Sequence, residues 1–185
     1  MSEFDPQLWK ERAWARFCRA SKVIKPKDKV SLAEAEREWF IDVVAISDIE
    51  AVVAWCAVRC IKVRFARKSF GTYHSLEKEI TISNRLRPLK QAVILLHECG
   101  HHLVEGADRA ERFLMGYPQA APEVTRTFHH RLTCLEEEME AWHRGWKLSR
   151  RLELSVSREQ FDAIRLDCLR TYVKWTLQPG SAEKD

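Results

Sequence analysis

The stretch LLHECGHHLVEG, residues 95–106, has the residue types and spacing of a metal-binding helix. His97 and His101 are four residues apart, so on an α-helix both lie on one face with Cβ atoms about 5–6 Å apart. Two imidazoles at that spacing converge on one ion such as Zn²⁺. Glu98 is turned by about 100° around the helix, where it reaches a water on the metal. The motif predicts hydrolysis by zinc-activated water, with Glu98 as the general base.

A catalytic zinc needs a third protein ligand, and the stretch LEEEMEAW, residues 135–142, offers the richest set of carboxylates. Glu138 has only apolar helical neighbours at three and four residues, whereas Glu140 has polar ones and should point to water. Glu136 and Glu137 have mixed surroundings. Because a carboxylate on an apolar face is costly unless it is paired, Glu138 is the predicted third ligand.

Other polar residues offer weaker alternatives as the third ligand. Glu105 continues the line of His97 and His101, but three collinear ligands would span about 12 Å of helix rise and fit a tetrahedral ion badly. The remaining candidates are Asp108, His102, His129 and His130. The last two are interpreted as a surface pair at a helix start, with hydrogen bonding to the oxyanion of the reaction as the alternative.

Helix signals surround the residues of this predicted site. Pro88 suits a first helical turn, the apolar run 92–96 leads into the histidine motif, and Gly106 suits a C-terminal stop. Residues 123–152 have helical periodicity and carry Glu138. Ser157 with Gln160 forms a capping box that opens a last helix to about residue 177, whose apolar stripe is typical of core, with a dimer seam as the alternative.

The part of the chain before the motif predicts three helices and a small sheet. Residues 6–20 read as a helix, and capping patterns at Ser31 and Ser47 predict two further helices, 31–46 and 47–59. Apolar and polar residues alternate in 61–66 and 78–83, which predicts two antiparallel strands, with a short third strand at 72–75.

These elements predict an α+β fold that is mostly helical, with a small antiparallel sheet packed on the histidine helix. The predicted organisation is an N-terminal basic, tryptophan-rich helical segment and linker (residues 1–30), a single domain (31–178) and a flexible tail (179–185). The basic N-terminal segment could bind nucleic acid or an acidic partner, although a tryptophan-bearing helix packed on the core is the commoner arrangement.

Composition bounds the class of protein. The chain has 185 residues, of which 45% are hydrophobic and 31% charged, an ordinary globular mixture. No apolar run approaches the roughly 20 residues that span a bilayer, and the first residues are charged where a signal peptide would be apolar, so we expect a cytoplasmic protein without membrane contact. Six scattered cysteines are then expected to be reduced.

Residues 48–152 resemble the small HExxH metallopeptidases of the gluzincin type, in particular the ImmA/IrrE-like domains of bacteria and their phages. The resemblance rests on the order helix, strands, histidine helix and second helix, and on Glu138 to Ala141 as an ExxA-type stretch. It implies a minimal zincin domain in which His97, His101 and Glu138 hold Zn²⁺ and Glu98 is the base. It also implies that strand 78–83 is an edge strand that pairs with extended substrate.

Two residues depart from that pattern. Trp142 follows Ala141 where relatives usually have Asn or Asp, so the support of the ligands must differ. Cys99 within the motif is unusual and is interpreted as packing. The predicted function is a zinc-dependent peptidase acting on an intracellular protein or peptide substrate. The alternative is a catalytically silent regulatory module of the same fold that binds protein or nucleic acid, and the oligomeric state stays open.

Overall fold

The computed structural model describes residues 5–23, 29–68, 70–107 and 127–177. The described elements are, in chain order, α1 (Pro6–Val23), α2 (Lys29–Val58), β1 (Lys62–Ala66), β2 (Thr72–His74), β3 (Glu79–Ser83), α3 (Pro88–Ala107), α4 (Phe128–Arg151) and α5 (Arg158–Thr176). The predicted α+β class, mostly helical with a small sheet, is confirmed. None of the described helices combines the length and apolar character that a membrane crossing requires.

The chain divides into two compact units, each described here by itself. The first is Met1–Leu95 with Leu152–Val156, and the second is Leu96–Arg151 with Ser157–Asp185. Helix α3 contributes its first turns to the first unit and the histidine motif to the second. The predicted linker around residues 24–28 and the predicted tail 179–185 lie outside the described residues.

Helix α1 packs on α2 in the first unit, as predicted for a tryptophan-bearing helix. Trp14 meets Trp39 edge-on at a centroid distance of 5.5 Å, and Phe17 contacts both rings. The Arg16 guanidinium donates to the buried Asp42 carboxylate at 3.0 Å. Trp14 and Phe17 of α1 therefore contact α2, and Trp9 contacts Phe65 of β1.

The prediction of two helices between residues 31 and 59 is wrong, because α2 runs unbroken through the proposed cap at Ser47. A buried stripe of Ile46, Ile49 and Val52 continues across that position and favours one helix. Asp48, next to the proposed cap, accepts hydrogen bonds from the backbone N–H groups of residues 155 and 156 instead of capping a helix. Burial thus overrides a local capping pattern here.

The sheet differs from the prediction in direction and order. Strands β1 and β3 pair in parallel, with Val63 opposite Ile80, and β2 pairs antiparallel with β3, with Tyr73 opposite Ile80. The order is β1-β3-β2, so the prediction that strand 78–83 lies at the edge is wrong: β3 is central among the described strands. The predicted short strand at 72–75 is the hairpin partner of β3, and its insertion lets β1 pair with β3 in parallel.

The capping box at the start of α5 is confirmed. The Ser157 side chain accepts from the Gln160 backbone N–H at 3.2 Å, and the Gln160 side chain accepts from the Ser157 backbone N–H at 2.9 Å. This reciprocal pair satisfies two N–H groups that a helix start otherwise leaves without partners. Helix α5 therefore begins where the sequence predicted.

Candidate metal centre

Two glycines let α3 and α4 approach each other closely in the second unit. A Cβ atom at Gly100 would overlap the carbonyl oxygen of Ala141. A Cβ atom at Gly145 would lie 2.6 Å from the carbonyl oxygen of Leu96. Because no other residue type lacks a Cβ, the two backbones can come this near only at glycine. The close approach brings the short Glu138 side chain of α4 within reach of the histidines of α3.

Arg144 fixes the register of α4 along α3. Its Nη1 donates to the carbonyl oxygen of Leu103 near the end of α3 at 2.6 Å, and its Nε donates to Glu140 at 2.8 Å. A guanidinium is well suited to a carbonyl near the C-terminal end of a helix, because its positive charge complements the negative end of the helix dipole. Glu140 is half-buried in this pair rather than pointing freely to water as predicted.

The structure brings together His97 and His101 of α3 with Glu138 of α4. All three are buried, at 7% exposure each. The two Nε2 atoms lie 3.2 Å apart, Glu138 Oε2 lies 3.1 Å from His97 Nε2, and Glu138 Oε1 lies 3.4 Å from His101 Nε2. Among the described residues these three form the group whose side-chain donor atoms could hold a metal ion.

The distances within this group fit a tetrahedral ion. Two atoms that each lie 2.0–2.1 Å from zinc at a tetrahedral angle are about 3.3–3.4 Å apart, close to the separations found here. The buried Glu138 Oε2 has no well-formed hydrogen bond, although it lies 3.1 Å from His97 Nε2. A buried acceptor without a hydrogen bond lowers the stability of the fold by about 1–3 kcal/mol, and a bound cation would remove this loss. The three donor atoms therefore fit a tetrahedral metal ion such as zinc.

Burial and neighbouring charges act in opposite directions on the pKa values of this group. Burial lowers the pKa of His101, but the facing carboxylates of Glu137 and Glu138 outweigh burial and raise that pKa to about 10. Burial raises the pKa of Glu138, yet the imidazoles of His101 and His97 outweigh it and hold this pKa well below its ordinary value. The carboxylates thus favour positive charge at the place where an ion would bind.

Trp142 supports His97 by stacking. The two rings are 4.1 Å apart between centroids and 15° from parallel, and Phe161 of α5 meets the indole edge-on at 5.6 Å. His97 Nδ1 is buried without a hydrogen-bond partner. Trp142 therefore orients the His97 ring through its face rather than through a hydrogen bond.

Two further carboxylates surround the group. Glu98 is buried at 6% exposure, and its negative charge contributes to the raised pKa of His101. Glu137, whose position the sequence left ambiguous, is buried at 3% exposure and places Oε1 3.8 Å from His101 Nδ1. The neighbours of Glu137 include Thr133, Cys134 and Glu140, a mixed set from which helical periodicity alone could not predict burial.

The alternative ligands that lie among the described residues do not join the group. His102 and Glu105 are half-buried and His129 is exposed, while Asp108 lies outside the described residues. His130 is buried and lies 3.5 Å from the Cys134 sulfur, so the interpretation of residues 129 and 130 as a surface pair is wrong for His130.

Cys99 within the motif is fully buried, which agrees with the packing interpretation.

No known protein family model, curated protein or solved structure matches the chain. The family resemblance therefore depends on the motif residues and on the order of the elements.

Proposed function

We propose that this protein is a zinc-dependent peptidase of the ImmA/IrrE-like, gluzincin type that hydrolyses a peptide bond of an intracellular protein. The observation that carries the proposal is the convergence of His97, His101 and Glu138. Their donor atoms come from two helices, are buried, and lie 3.1–3.4 Å apart in the contacts they make. Two histidines and one glutamate form a ligand set of catalytic zinc sites in peptidases.

Zinc, when bound, lowers the pKa of the water it holds and polarises the carbonyl of the substrate. The chain's own residues supply the rest. His97 and His101 provide neutral nitrogen donors, and Glu138 provides one negative charge. The stack of Trp142 on His97 keeps one donor ring in a fixed plane. A rigid set of three ligands keeps the fourth position open for the reaction.

Glu98 is the proposed general base. It follows His97 directly, so its side chain leaves α3 about 100° away from the ligand face. A buried carboxylate there accepts a proton from the attacking water and passes it to the nitrogen of the leaving amine. The electrostatic interaction of Glu98 with His101 supports this role, because it places the buried carboxylate beside the proposed ligands.

Metal content tests the site. The metal content of the protein, purified without added metal, is measured beside that of His97→Ala and Glu138→Ala. Glu136→Ala is the control, because Glu136 is exposed and lies two residues before Glu138 on the same helix. We expect about one zinc per chain in the wild type and in Glu136→Ala, and loss of zinc in the other two. A wild type that holds no zinc after loading and removal of excess would refute the proposal.

Turnover tests the chemistry. A mixed-sequence pool of synthetic peptides is incubated with wild type and Glu98→Gln, and new peptide termini are detected by mass spectrometry in water enriched in oxygen-18. We expect cleavage with label incorporation by the wild type and at least about a hundredfold less by Glu98→Gln, at equal zinc content. If wild type and Glu98→Gln contain equal zinc but neither cleaves the peptides or whole cytosolic protein, the silent binding module is favoured instead.

A further inference from the structure

A second buried carboxylate, Glu137, faces the proposed metal centre, and its charge also acts on the Cys134 thiol. It is 3% exposed, and Oε1 lies 3.8 Å from Nδ1 of His101. Its other oxygen, Oε2, is buried and has no hydrogen bond. No ion pair of Glu137 other than the one with His101 occurs in the described part of the chain. A glutamate buried beside Glu138 is costly, so its position calls for a reason.

We propose that Glu137 is a positioning residue that holds the His101 ring through Nδ1 and thereby sets the affinity of the centre for its metal. The inference rests on the proposed zinc site, because it concerns how one of the three ligands is oriented. It goes beyond the ligand set, since neither the sequence nor the motif assigns a role to Glu137.

The tautomer of His101 explains why a carboxylate is needed. Nε2 of His101 faces His97 and Glu138, so it is the nitrogen that must be free to bind a metal. In a neutral ring the proton is then on Nδ1, and a carboxylate facing this N–H fixes both the tautomer and the ring plane. Glu137 Oε1 lies 3.8 Å from His101 Nδ1 and must move about 1 Å closer to reach hydrogen-bond distance.

The two ligand histidines are therefore supported by different means. Trp142 stacks on the face of the His97 ring, and His97 Nδ1 has no partner. His101 Nδ1 also lacks a hydrogen bond, but the Glu137 carboxylate lies 3.8 Å in front of it. Removal of Glu137 leaves His101 with its ligand nitrogen intact but with its ring less well oriented, so a loss of metal affinity without loss of the site is the expected result.

Zinc affinity, measured by competition with a chromophoric chelator, tests the inference. The variants are Glu137→Gln and Glu137→Ala, with Glu136→Gln as the matched control, because Glu136 precedes Glu137 on the same helix and is exposed. We expect zinc affinity to fall about 10- to 100-fold in Glu137→Ala, by less in Glu137→Gln, and to stay unchanged in Glu136→Gln. Each variant should still bind one zinc at saturation.

A direct readout separates positioning from a merely structural role. In zinc-loaded, nitrogen-15-labelled protein, the Nδ1 proton of His101 should give a slowly exchanging signal that persists in Glu136→Gln. It should shift in Glu137→Gln, whose amide oxygen can still accept, and disappear in Glu137→Ala. If Glu137→Ala does not fold, the zinc affinity and the Nδ1 proton signal of Glu137→Gln test the inference.

The outcomes distinguish this inference from the proposed function. The role of Glu137 is overturned, and the zinc site stands, if the wild type binds zinc and both Glu137 variants bind it within threefold of the wild-type affinity with an unchanged Nδ1 proton signal. A wild type that binds no zinc overturns both. Loss of affinity in the Glu137 variants together with an equal loss in Glu136→Gln also overturns the inference, because it would reflect helix charge alone.

Discussion

The imidazole of His97 lies almost parallel to the indole of Trp142, with centroids 4.1 Å apart and 15° between the planes. Trp142 is itself buried at 1% exposure and held edge-on by Phe161. The contacts from Phe161 through Trp142 to His97 therefore link the packing of α5 to the orientation of the His97 ring. A bulky aromatic residue next to the ExxA stretch thus has a structural explanation at this centre.

This stack predicts that the shape of residue 142 controls zinc affinity. Trp142→Phe keeps an aromatic face and should stay within about threefold of wild type, whereas Trp142→Leu should weaken zinc binding by about 3- to 10-fold, the value of one aromatic pair. Chelator competition measures both. Trp14→Leu, in α1 and exposed at 51%, is the control for the loss of a tryptophan elsewhere. Equal affinities of the Phe and Leu variants would show that stacking does not orient His97.

Zinc binding should compete with a proton on His101. Burial lowers the pKa of His101, but Glu137 and Glu138 outweigh it and raise the pKa to about 10, so the metal-free ring is protonated at neutral pH. Zinc must displace that proton. The apparent affinity should therefore rise roughly tenfold between pH 7 and pH 8, whereas a histidine with an ordinary pKa of about 6.5 would give only about a 1.3-fold rise.

Calorimetry in two buffers of different ionisation enthalpy checks this prediction by counting protons. We expect about one proton released for each zinc bound near pH 7.5. The rise of zinc affinity with pH follows from the raised pKa of His101, because the proton that zinc must displace becomes easier to remove as the pH rises. A flat affinity between pH 7 and pH 8 with no proton release would mean that His101 is already neutral in the metal-free protein.

The close approach of α3 and α4 predicts that Gly100 accepts no side chain. A Cβ there overlaps the Ala141 carbonyl, and neither partner is a flexible side-chain end, so the helices must separate. Gly100→Ala should lower the free energy of unfolding by about 2–4 kcal/mol and abolish zinc binding. Lys147→Ala, exposed on α4, is the control, and urea unfolding is the measurement. Wild-type stability and zinc content in Gly100→Ala would contradict the helix contact.

The sequence predicts much of the centre because its signals are local. The spacing of His97 and His101 and the apolar neighbours of Glu138 both follow from helical geometry, and the three donors are brought together in the structure. Glu137 and Trp142 could not be predicted in the same way. Their roles depend on which face of α4 meets α3, and that is decided by Gly100, whose need for a close contact appears only in three dimensions.

The errors in the predicted fold also arise because tertiary contacts are not visible in the sequence. Alternating residues predict strands but carry no information on their direction, so the parallel pairing of β1 with β3 was missed. The pattern at Ser47 is a valid local cap, but the buried stripe through Ile46 and Ile49 continues the helix. In both cases tertiary packing overrides a short-range signal.

Asp48 joins two distant parts of the first unit and should be needed for stability. Its Oδ1 accepts the backbone N–H of Ser155 at 3.0 Å, and its Oδ2 accepts that of Val156 at 3.1 Å, across 107 and 108 residues of sequence. Asp48 is 5% exposed. Asp48→Asn replaces one accepting oxygen by an NH₂ group that faces a backbone donor. We expect a loss of about 2–4 kcal/mol in the free energy of unfolding, measured with urea.

Glu50→Gln is the matched control for Asp48→Asn, because it makes the same type of change two residues along the same helix. The partner of Glu50 is Lys10 at 3.8 Å, and the two side chains are 41% and 38% exposed. An exposed ion pair of that length contributes about 0–1 kcal/mol, so the control should unfold close to the wild-type urea midpoint. If the two variants shift the midpoint equally, the buried carboxylate does not hold residues 152–156 to α2, and their placement must depend on the apolar burial of Leu154 and Val156.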